Sequence, residues 1–447
     1  MNTSFETLDY GIFAIYAVVI LGVGLWVSRN KKGETKSTED YFLASKSLPW
    51  WAIGASLIAA NISAEQFIGM SGSGFAGGLA IATYEWMAAL TLIVVGKFFL
   101  PIFIKKEIYT IPEFVEKRFS SQLKTILAVF WIGLYVFVNL ASVLYLGGLA
   151  LQTILGVDMI TAIIGLAAFA AAYSLYGGLS AVAWTDIIQV VVLVLGGFVT
   201  TYLALDTVSG GDGFFGGLVK IYDSVPERFD MILEKSNPEY MNLPGIGVLI
   251  GGMWIANLYY WGFNQYIIQR TLAAKSLAES QKGILFAAGL KMIIPIIVVI
   301  PGIAAYVIVN DPNLLSSLGD AGMANIPSAS QADKAYPWLM QFLPTGLKGL
   351  AVAALAAAIV SSLASMLNST ATIFTMDIYK QLIKKNSSES ETVNIGRLSA
   401  FVALIIASIM APLLGGIDQA FQFIQEYTGI VSPGTVSYTH LTLPTKA

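Results

Sequence analysis

Ionisable and amide side chains stand inside three apolar runs of the chain, where they could bind a polar ligand. Lys291 lies in one run, Glu85 in a second, and Glu65 and Gln66 in a third. An ionisable group in hydrocarbon is costly unless it faces a partner or a water-filled cavity. The sequence therefore predicts a polar cavity inside a membrane protein, in which Glu85 and Lys291 compensate each other's charge.

A second set of polar side chains forms a stripe in another apolar run, made of Ala358, Ser361, Ser362, Ser365 and Ser369. Spacings of three and four place these residues on one helical face. Such a stripe can hydrogen-bond neighbouring helices. It could also bind Na⁺, a hard cation that prefers oxygen ligands, with two hydroxyls and the carbonyls of a broken helix. The residues alone leave both interpretations open.

The composition supports a helical membrane protein and excludes several other classes. Hydrophobic residues make up 56% of the chain and charged residues 12%, whereas soluble domains carry about 25% charged residues. The net charge of −3 does not suggest nucleic-acid binding. Cysteine is absent and the one histidine is His440, so disulfides, thiolate metal sites and histidine catalysis are not expected. No nucleophile–base pair and no nucleotide-binding loop is present, so we expect neither an enzyme nor a cofactor.

Apolar runs long enough to span a bilayer, about 20 residues, set the predicted elements. They lie near 9–28, 50–75, 79–104, 123–154, 159–176, 181–206, 245–268, 283–309, 345–378 and 394–414, and another begins near 418. The connections between these runs fall on two sides of the membrane in alternation. Those on one side hold 17 Lys and Arg residues in total, and those on the other side hold 4. The positive-inside rule then predicts a multi-pass protein of the plasma (inner) membrane with its N-terminus outside. No basic stretch or cleavage site precedes the first run, so no removable signal peptide is expected.

Two of these runs carry polar interruptions at corresponding places. The second run contains Asn61 and the seventh contains Asn257, each preceded by alanine and followed by a polar stretch with glycine. Broken helices in matching positions of two halves are typical of inverted-repeat transporters, with the binding site at the breaks. Glycine packing between helices is the alternative, and the clustered Asn, Glu and Gln residues favour the first interpretation.

The end of the chain differs from the rest. Up to Pro433 and Gly434 it has the pattern of a membrane helix with a break, and the threonine-rich residues 435–447 have no helical period. We expect residues 1–434 to form one transmembrane domain that is incomplete at its C-terminal side, followed by a tail that is foreign to it.

At six segments the sequence resembles the sodium/solute symporter family, and its bacterial sugar-transporting branch in particular. The segments are 61–70, 84–86, 176–181, 257–265, 270–275 and 359–362. The resemblance implies an all-α, leucine-transporter-type fold with a five-plus-five inverted repeat, one extra N-terminal helix and a tenth core helix that is cut short. Ala88 stands where the sugar branch has a serine, which puts the sugar preference in doubt.

The resemblance also implies a substrate site. Gln66, Glu85, Asn257 and Lys291 would bind sugar hydroxyls, with Asn61 and Gln425 in support. Tyr260 would stack on the sugar ring and close the inner side together with Trp261, while Met70, Tyr84 and Phe421 would close the outer side. Core packing or an interfacial aromatic belt is the alternative for Tyr260 and Trp261.

For sodium, the resemblance implies the carbonyls of Ala59, Ile62 and Ala358 and the hydroxyls of Ser361 and Ser362. Asp186 would receive the ion on its exit path, or would simply cap a cytoplasmic helix end. The implied function is uptake of a monosaccharide such as galactose or glucose, coupled to Na⁺ entry by alternating access across the bilayer. The alternatives are symport of another small solute, such as myo-inositol or sialic acid, a channel, and a non-transporting sensor.

Overall fold

The computed structural model describes residues 5–29, 36–63, 65–242, 245–319, 322–323, 326–415 and 424–429. Within these ranges the chain is helical, and the only strand-like contact is an isolated parallel bridge between Leu48 and Ala274. Phe421, the break at Pro433 and Gly434, and the tail at 435–447 lie outside the described residues.

The α-helices are numbered in chain order. They are α1 Thr7–Val27, α2 Thr38–Leu43, α3 Trp50–Asn61, α4 Ser71–Gly77, α5 Thr83–Val94, α6 Leu100–Lys105, α7 Ile111–Arg118, α8 Ser121–Gly133, α9 Ala141–Leu155, α10 Met159–Ser209, α11 Gly213–Ser224, α12 Met253–Leu258, α13 Gln265–Leu272, α14 Leu277–Asn310, α15 Pro312–Ser317, α16 Ala335–Met340, α17 Leu347–Ile373 and α18 Glu389–Met410. Residues 424–429 are also helical. π-Helical turns occupy Glu65–Met70, Val95–Phe99, Leu134–Leu140, Val248–Gly252, Tyr259–Phe263 and Phe374–Ile383.

Seven of the described helical segments are long and apolar enough to cross a membrane. They are Thr7–Val27, Leu79–Lys105, Ser121–Leu155, Ser174–Ser209, Leu277–Asn310, Leu347–Ile383 and Glu389–Leu414, and the shorter apolar helix Met159–Ala172 adds to them. Two of the other predicted spans are the interrupted ones, and the span predicted to begin near 418 lies mostly outside the described residues. The membrane class predicted from composition is therefore confirmed.

Burial separates the central helices from the peripheral ones. The most apolar window of Leu347–Ile383 is 89% buried, whereas that of Thr7–Val27 is 11% buried. Helix α17 therefore lies at the centre of the bundle. Helix α1 lies at its edge, as expected for a helix added to a ten-helix core.

Both predicted helix breaks are present. Helix α3 ends at Asn61, after which Ile62 leaves the helical region with φ −75° and ψ 88°, and the chain resumes as a π-helical turn and α4. The second break is at Asn264, with φ −84° and ψ 118°, between the π-helical turn Tyr259–Phe263 and α13. π-Helical turns are frequent at functional sites, and these two flank the breaks.

The spans predicted at 159–176 and 181–206 form one helical run, α10, that is divided at Gly178. This glycine has φ 64° and ψ −158°, a conformation that residues with a Cβ rarely adopt. A Cβ there would also lie 2.8 Å from Cδ2 of Tyr41. Glycine at 178 thus makes both the kink and the close approach of α2 possible.

Two basic residues counted as surface charges are buried instead, and their interpretation as loop residues was wrong. Arg270 lies in α13 with 0% exposure, and Lys124 of α8 is 1% exposed. Lys124 pairs with Glu116 at 2.7 Å and with Asp377 at 3.1 Å. Each of these charges has an internal partner, so neither contributes to the charge bias at the membrane surface.

Glycines bring the backbones of α4 and α14 into contact. A Cβ at Gly74 would lie 2.8 Å from the carbonyl oxygen of Val299, and one at Gly302 would lie 3.0 Å from the amide nitrogen of Phe75. Distances of that size leave no room for a methyl group. Helices α4 and α14 are therefore packed as one unit.

We expect Gly302→Ala to destabilise the protein by about 1–3 kcal/mol, the usual cost of overpacking a well-packed interior. Thermal unfolding in detergent should show a lower midpoint. Gly289→Ala in the same helix is the matched control, because a Cβ at Gly289 meets nothing within 4 Å, and alanine has the higher helix propensity. Equal midpoints for the two variants would contradict the tight packing.

Candidate functional site

A narrow polar cleft lies between the two helix breaks. The centre of a water molecule can reach only about 40 Å³ within it. Its walls are Asn61, Gln66, Tyr84, Glu85, Ala88, Ala256, Asn257, Tyr260, Trp261, Gln425 and Thr428. Eight of these are residues that the sequence assigned to the substrate site or its gates, and they come from α3, α5, α12, the two π-helical turns beside the breaks and the helical residues 424–429.

Lys291 stands behind the wall of this cleft and is fully buried. Its ammonium group donates to the Glu85 carboxylate and to the Asn61 side-chain oxygen, and it lies 5.2 Å from the ring centroid of Trp261. The predicted compensation of Glu85 and Lys291 is therefore present. A buried charge pair is tolerated when further hydrogen bonds satisfy its remaining donors and acceptors, and Asn61 supplies one.

Tyr260 joins the two broken helices. Its hydroxyl accepts a hydrogen bond from the Asn61 amide at 2.8 Å and lies 2.5 Å from the hydroxyl of Tyr266. Its ring meets that of Trp261 edge to face at 5.1 Å between centroids. The end of α3 is thus tied to the π-helical turn before α13 through one phenol.

Tyr260→Phe should weaken binding of the sugar that the resemblance implies about three- to tenfold, because it removes the hydroxyl that contacts Tyr266 and leaves the Asn61 amide without that acceptor. Sugar-induced changes in tryptophan fluorescence would measure the loss, since Trp261 is adjacent. Tyr259→Phe is the matched control, because Tyr259 is buried but does not line the cleft. Unchanged affinity in Tyr260→Phe would contradict this role.

The amide side chains of the cleft are held in place from their own segments. The Gln66 side-chain oxygen accepts from the backbone N–H of Ser63 at 3.1 Å. The Asn257 amide donates to the carbonyl of Met253 at 3.0 Å, one turn earlier in α12. Fixed amides of this kind can recognise the hydroxyls of a ligand at little cost in side-chain entropy.

The break at Asn264 is stabilised by residues that the sequence did not single out. Tyr135 donates from its hydroxyl to the Asn264 side-chain oxygen at 2.5 Å and accepts from the backbone N–H of Gln265 at 3.0 Å. The Gln265 side-chain oxygen in turn accepts from the backbone N–H of Ile111 at 2.9 Å. The polar groups that the break frees therefore have buried partners, as the membrane interior requires.

The predicted outer gate is only partly brought to the cleft. Tyr84 and Gln425 line both the cleft and a neighbouring cavity of about 220 Å³ that Val248, Met253 and Gly429 also line. Met70 is fully buried and does not line the cleft, since its π-helical turn directs it into the packed core. Ala256 and Thr428 were missed. The sequence could have indicated both residues, because Ala256 is next to Asn257 and Thr428 lies one helical turn after Gln425.

The residues predicted to bind sodium meet where the end of α3 packs on α17. Ser361 and Ser362 are fully buried, and Ala59, Ile62 and Ala358 are at most 1% exposed. The Ser362 hydroxyl donates to the carbonyl of Ala60 at 3.1 Å. A hydroxyl of α17 is therefore in hydrogen-bonding contact with the carbonyl end of α3.

Asp186 adjoins this cluster and does not cap a helix end. It lies inside the second half of α10, is fully buried, and accepts from the hydroxyls of Ser361 and of Ser56, the latter at 2.5 Å. The helix-cap alternative is therefore wrong. Asp186 contacts one of the predicted sodium ligands directly.

Arg270 is the partner of Asp186 that sequence reasoning missed. Its guanidinium lies 3.5 Å from the Asp186 carboxylate and donates to the Ser56 hydroxyl at 2.7 Å. It also donates to Ser365 and to the carbonyl of Tyr266. Arg270 comes shortly after the apolar run at 245–268, and for that reason its segment was taken for a connection at the membrane surface.

Comparisons with known proteins identify relatives of this chain. The model of the sodium:solute symporter family matches residues 41–443. The sodium/glucose cotransporter of Vibrio parahaemolyticus is 72% identical over 96% of this chain and 79% of its own length. The sodium/myo-inositol cotransporter 2 of Mus musculus is 34% identical over 96% of this chain, which spans 65% of that relative's length. Among solved structures, a Na⁺-coupled sialic acid symporter in a substrate-bound outward-open state matches with a TM-score of 0.83 and 25% identity, covering 99% of this chain and 88% of the other.

Proposed function

Because the chain belongs to the sodium:solute symporter family, we propose that it couples Na⁺ entry to uptake of a monosaccharide such as galactose or glucose. The 72% identity to a sodium/glucose cotransporter supports the sugar assignment. The chain is a membrane transporter and not an enzyme, and sodium is its coupling ion.

One observation supports the coupling of sodium to sugar: residues at the end of α3 belong both to the cleft and to the proposed sodium site. Asn61 lines the cleft and binds Lys291 and Tyr260, while the carbonyls of Ala59 and Ile62 on either side of it are proposed sodium ligands. An ion that fixes this segment also fixes Asn61. Binding of sodium and of sugar would therefore strengthen each other, and linkage makes that coupling reciprocal.

The chemistry of the cleft fits a neutral polyol. Its edge presents amides, a carboxylate and a phenol, and its aromatic wall is formed by Tyr260 and Trp261. Lys291 is already neutralised by Glu85, so no unpaired cation is offered to an anionic solute such as sialic acid. Ala88 lines the cleft, and the hydroxyl it lacks would affect the choice among sugars and myo-inositol.

Release of the ion would proceed through Asp186. Its carboxylate accepts from Ser361, so an ion that leaves the hydroxyls of α17 would meet this carboxylate next. Moving one elementary charge through the field supplies about 2.3 kcal/mol per 100 mV. That energy and the sodium gradient would drive the two repeats to alternate around the cleft. The basic connections would face the cytoplasm and the N-terminus the outside.

Uptake into proteoliposomes tests the proposal. The purified protein would be given an inward Na⁺ gradient and, in turn, labelled galactose, glucose, myo-inositol and sialic acid, with K⁺ replacing Na⁺ as the control. We expect accumulation of galactose or glucose in Na⁺ only. Accumulation of myo-inositol or sialic acid alone would overturn the sugar assignment, and sugar binding without transport of any of the four would identify a sensor.

A further inference from the structure

A short segment outside the cleft, Pro226–Phe229, packs on the end of α4. It belongs to the connection that follows α11 and forms one 3₁₀ turn. Gly78, directly after α4, has φ 89° and would place a Cβ 2.8 Å from Cα of Arg228. The backbone of this segment therefore touches the turn between α4 and the residues leading into α5.

The Arg228 side chain joins two helices at this point. It donates to the carbonyl of Phe75 in the last turn of α4 at 2.5 Å. Its guanidinium carbon lies 3.4 Å from the ring centroid of Tyr306 on α14. A cation is favoured at a helix C-terminus, and a planar guanidinium stacks on an aromatic face better than an ammonium does.

The two helices that Arg228 joins are both connected to residues at or behind the wall of the cleft. Helix α4 is preceded by the π-helical turn that carries Gln66, and α14 carries Lys291. The turn at Gly78 leads within seven residues to Glu85 on α5. Gly74 and Gly302 allow the backbones of α4 and α14 to pack directly against each other. Arg228 contacts both helices at the end of this packed region.

We infer that Arg228 is a positioning residue that holds α4 and α14 in register and thereby sets the affinity of the cleft for its sugar. The inference rests on the proposed function. Arg228 does not line the cleft, so it acts through the placement of Gln66, Glu85 and Lys291. The proposed sodium ligands lie in α3, directly after it and in α17, whereas the hydrogen bond and the ring contact of Arg228 are made with α4 and α14.

The test measures sugar and sodium affinities separately, by sugar-induced tryptophan fluorescence and by the Na⁺ dependence of uptake. Arg228→Ala should raise the galactose concentration for half-saturation roughly tenfold and leave the Na⁺ half-saturation, measured at saturating galactose, unchanged. Arg228→Lys should recover only part of this loss, since lysine keeps the charge but not the stacking plane. Lys220→Ala, an exposed basic residue of the preceding helix α11, is the matched control and should behave as wild type.

A second variant distinguishes a loss of positioning from a general folding defect. Tyr306→Leu removes the stacking face while Arg228 stays, and the double variant Arg228→Ala/Tyr306→Leu should bind sugar no worse than Arg228→Ala alone, because residues in contact are not additive. Additive losses would overturn the inference. So would unchanged sugar affinity in Arg228→Ala, or a parallel loss of sugar and sodium affinity with a lower melting temperature. Failure of the wild type to respond to any sugar would instead overturn the proposed function.

Discussion

Replacing Lys291 with methionine is expected to abolish sodium-driven sugar uptake. The ammonium group is fully buried and bound by Glu85 and Asn61. Removing one partner of a buried charge pair destabilises a protein by about 3–5 kcal/mol, because the other charge is left uncompensated. Glu85 and Asn61 would also lose the ammonium group that holds them, so sugar binding should be lost as well. Uptake in proteoliposomes and sugar-induced tryptophan fluorescence would both report it.

A double variant separates binding from folding. Lys291→Met together with Glu85→Gln restores neutrality inside the bundle, so its melting temperature should recover towards wild type while sugar binding stays lost. Lys97→Met is the control for a lysine in a membrane helix, since Lys97 is exposed. Sugar uptake by Lys291→Met within a few-fold of wild type would remove Lys291 from the site.

The second large effect is expected at the proposed sodium site. Ser362→Ala should weaken the apparent Na⁺ affinity by roughly tenfold or more, because hydrogen-bonding and ligand contacts to charged groups contribute about 1.5–3 kcal/mol each. Uptake at low sodium should fall with it. The Na⁺ dependence of sugar uptake is the measurement, with sugar held at a saturating concentration.

The same helix offers a matched control. Ser369 lies on the same face of α17 about two turns further on, and its hydroxyl donates to the side chain of Gln269 at 2.8 Å. Ser369→Ala should therefore leave the Na⁺ titration unchanged. A wild-type Na⁺ titration in Ser362→Ala, or an equal shift in both variants, would show that the ion binds elsewhere.

The resemblance to the symporter family predicted most of the cleft but not how its residues are held. Asn61, Glu85 and Tyr260 were assigned to the substrate site, and the structure brings them together with Trp261 around one opening. Met70 was assigned to the outer gate, but in the structure it does not line the cleft. Which way a side chain points from a π-helical turn depends on the packing around that turn, and no short-range pattern records it.

Arg270 shows the limit of reading charge along a sequence. An arginine shortly after an apolar run has the pattern of a membrane-surface residue, and it was counted as one. In the structure α13 folds back into the bundle, so that Arg270 meets Asp186, 84 residues earlier, and Ser365, 95 residues later. Partners at that distance along the chain exist only once the helices are packed.

By itself the sequence determined that the protein crosses a membrane many times, that two of its helices are broken, and that it has the motifs of sodium-coupled symporters. These properties depend on the thickness of hydrocarbon and the cost of burying polar groups, which act over about 20 residues. Tertiary structure alone decided which charge neutralises which, that Asp186 adjoins Ser361, and that Arg228 reaches across from a connecting segment to α4 and α14. The reason is physical: a buried ion is stabilised by the few atoms within hydrogen-bonding distance, and helix packing chooses those atoms from distant parts of the chain.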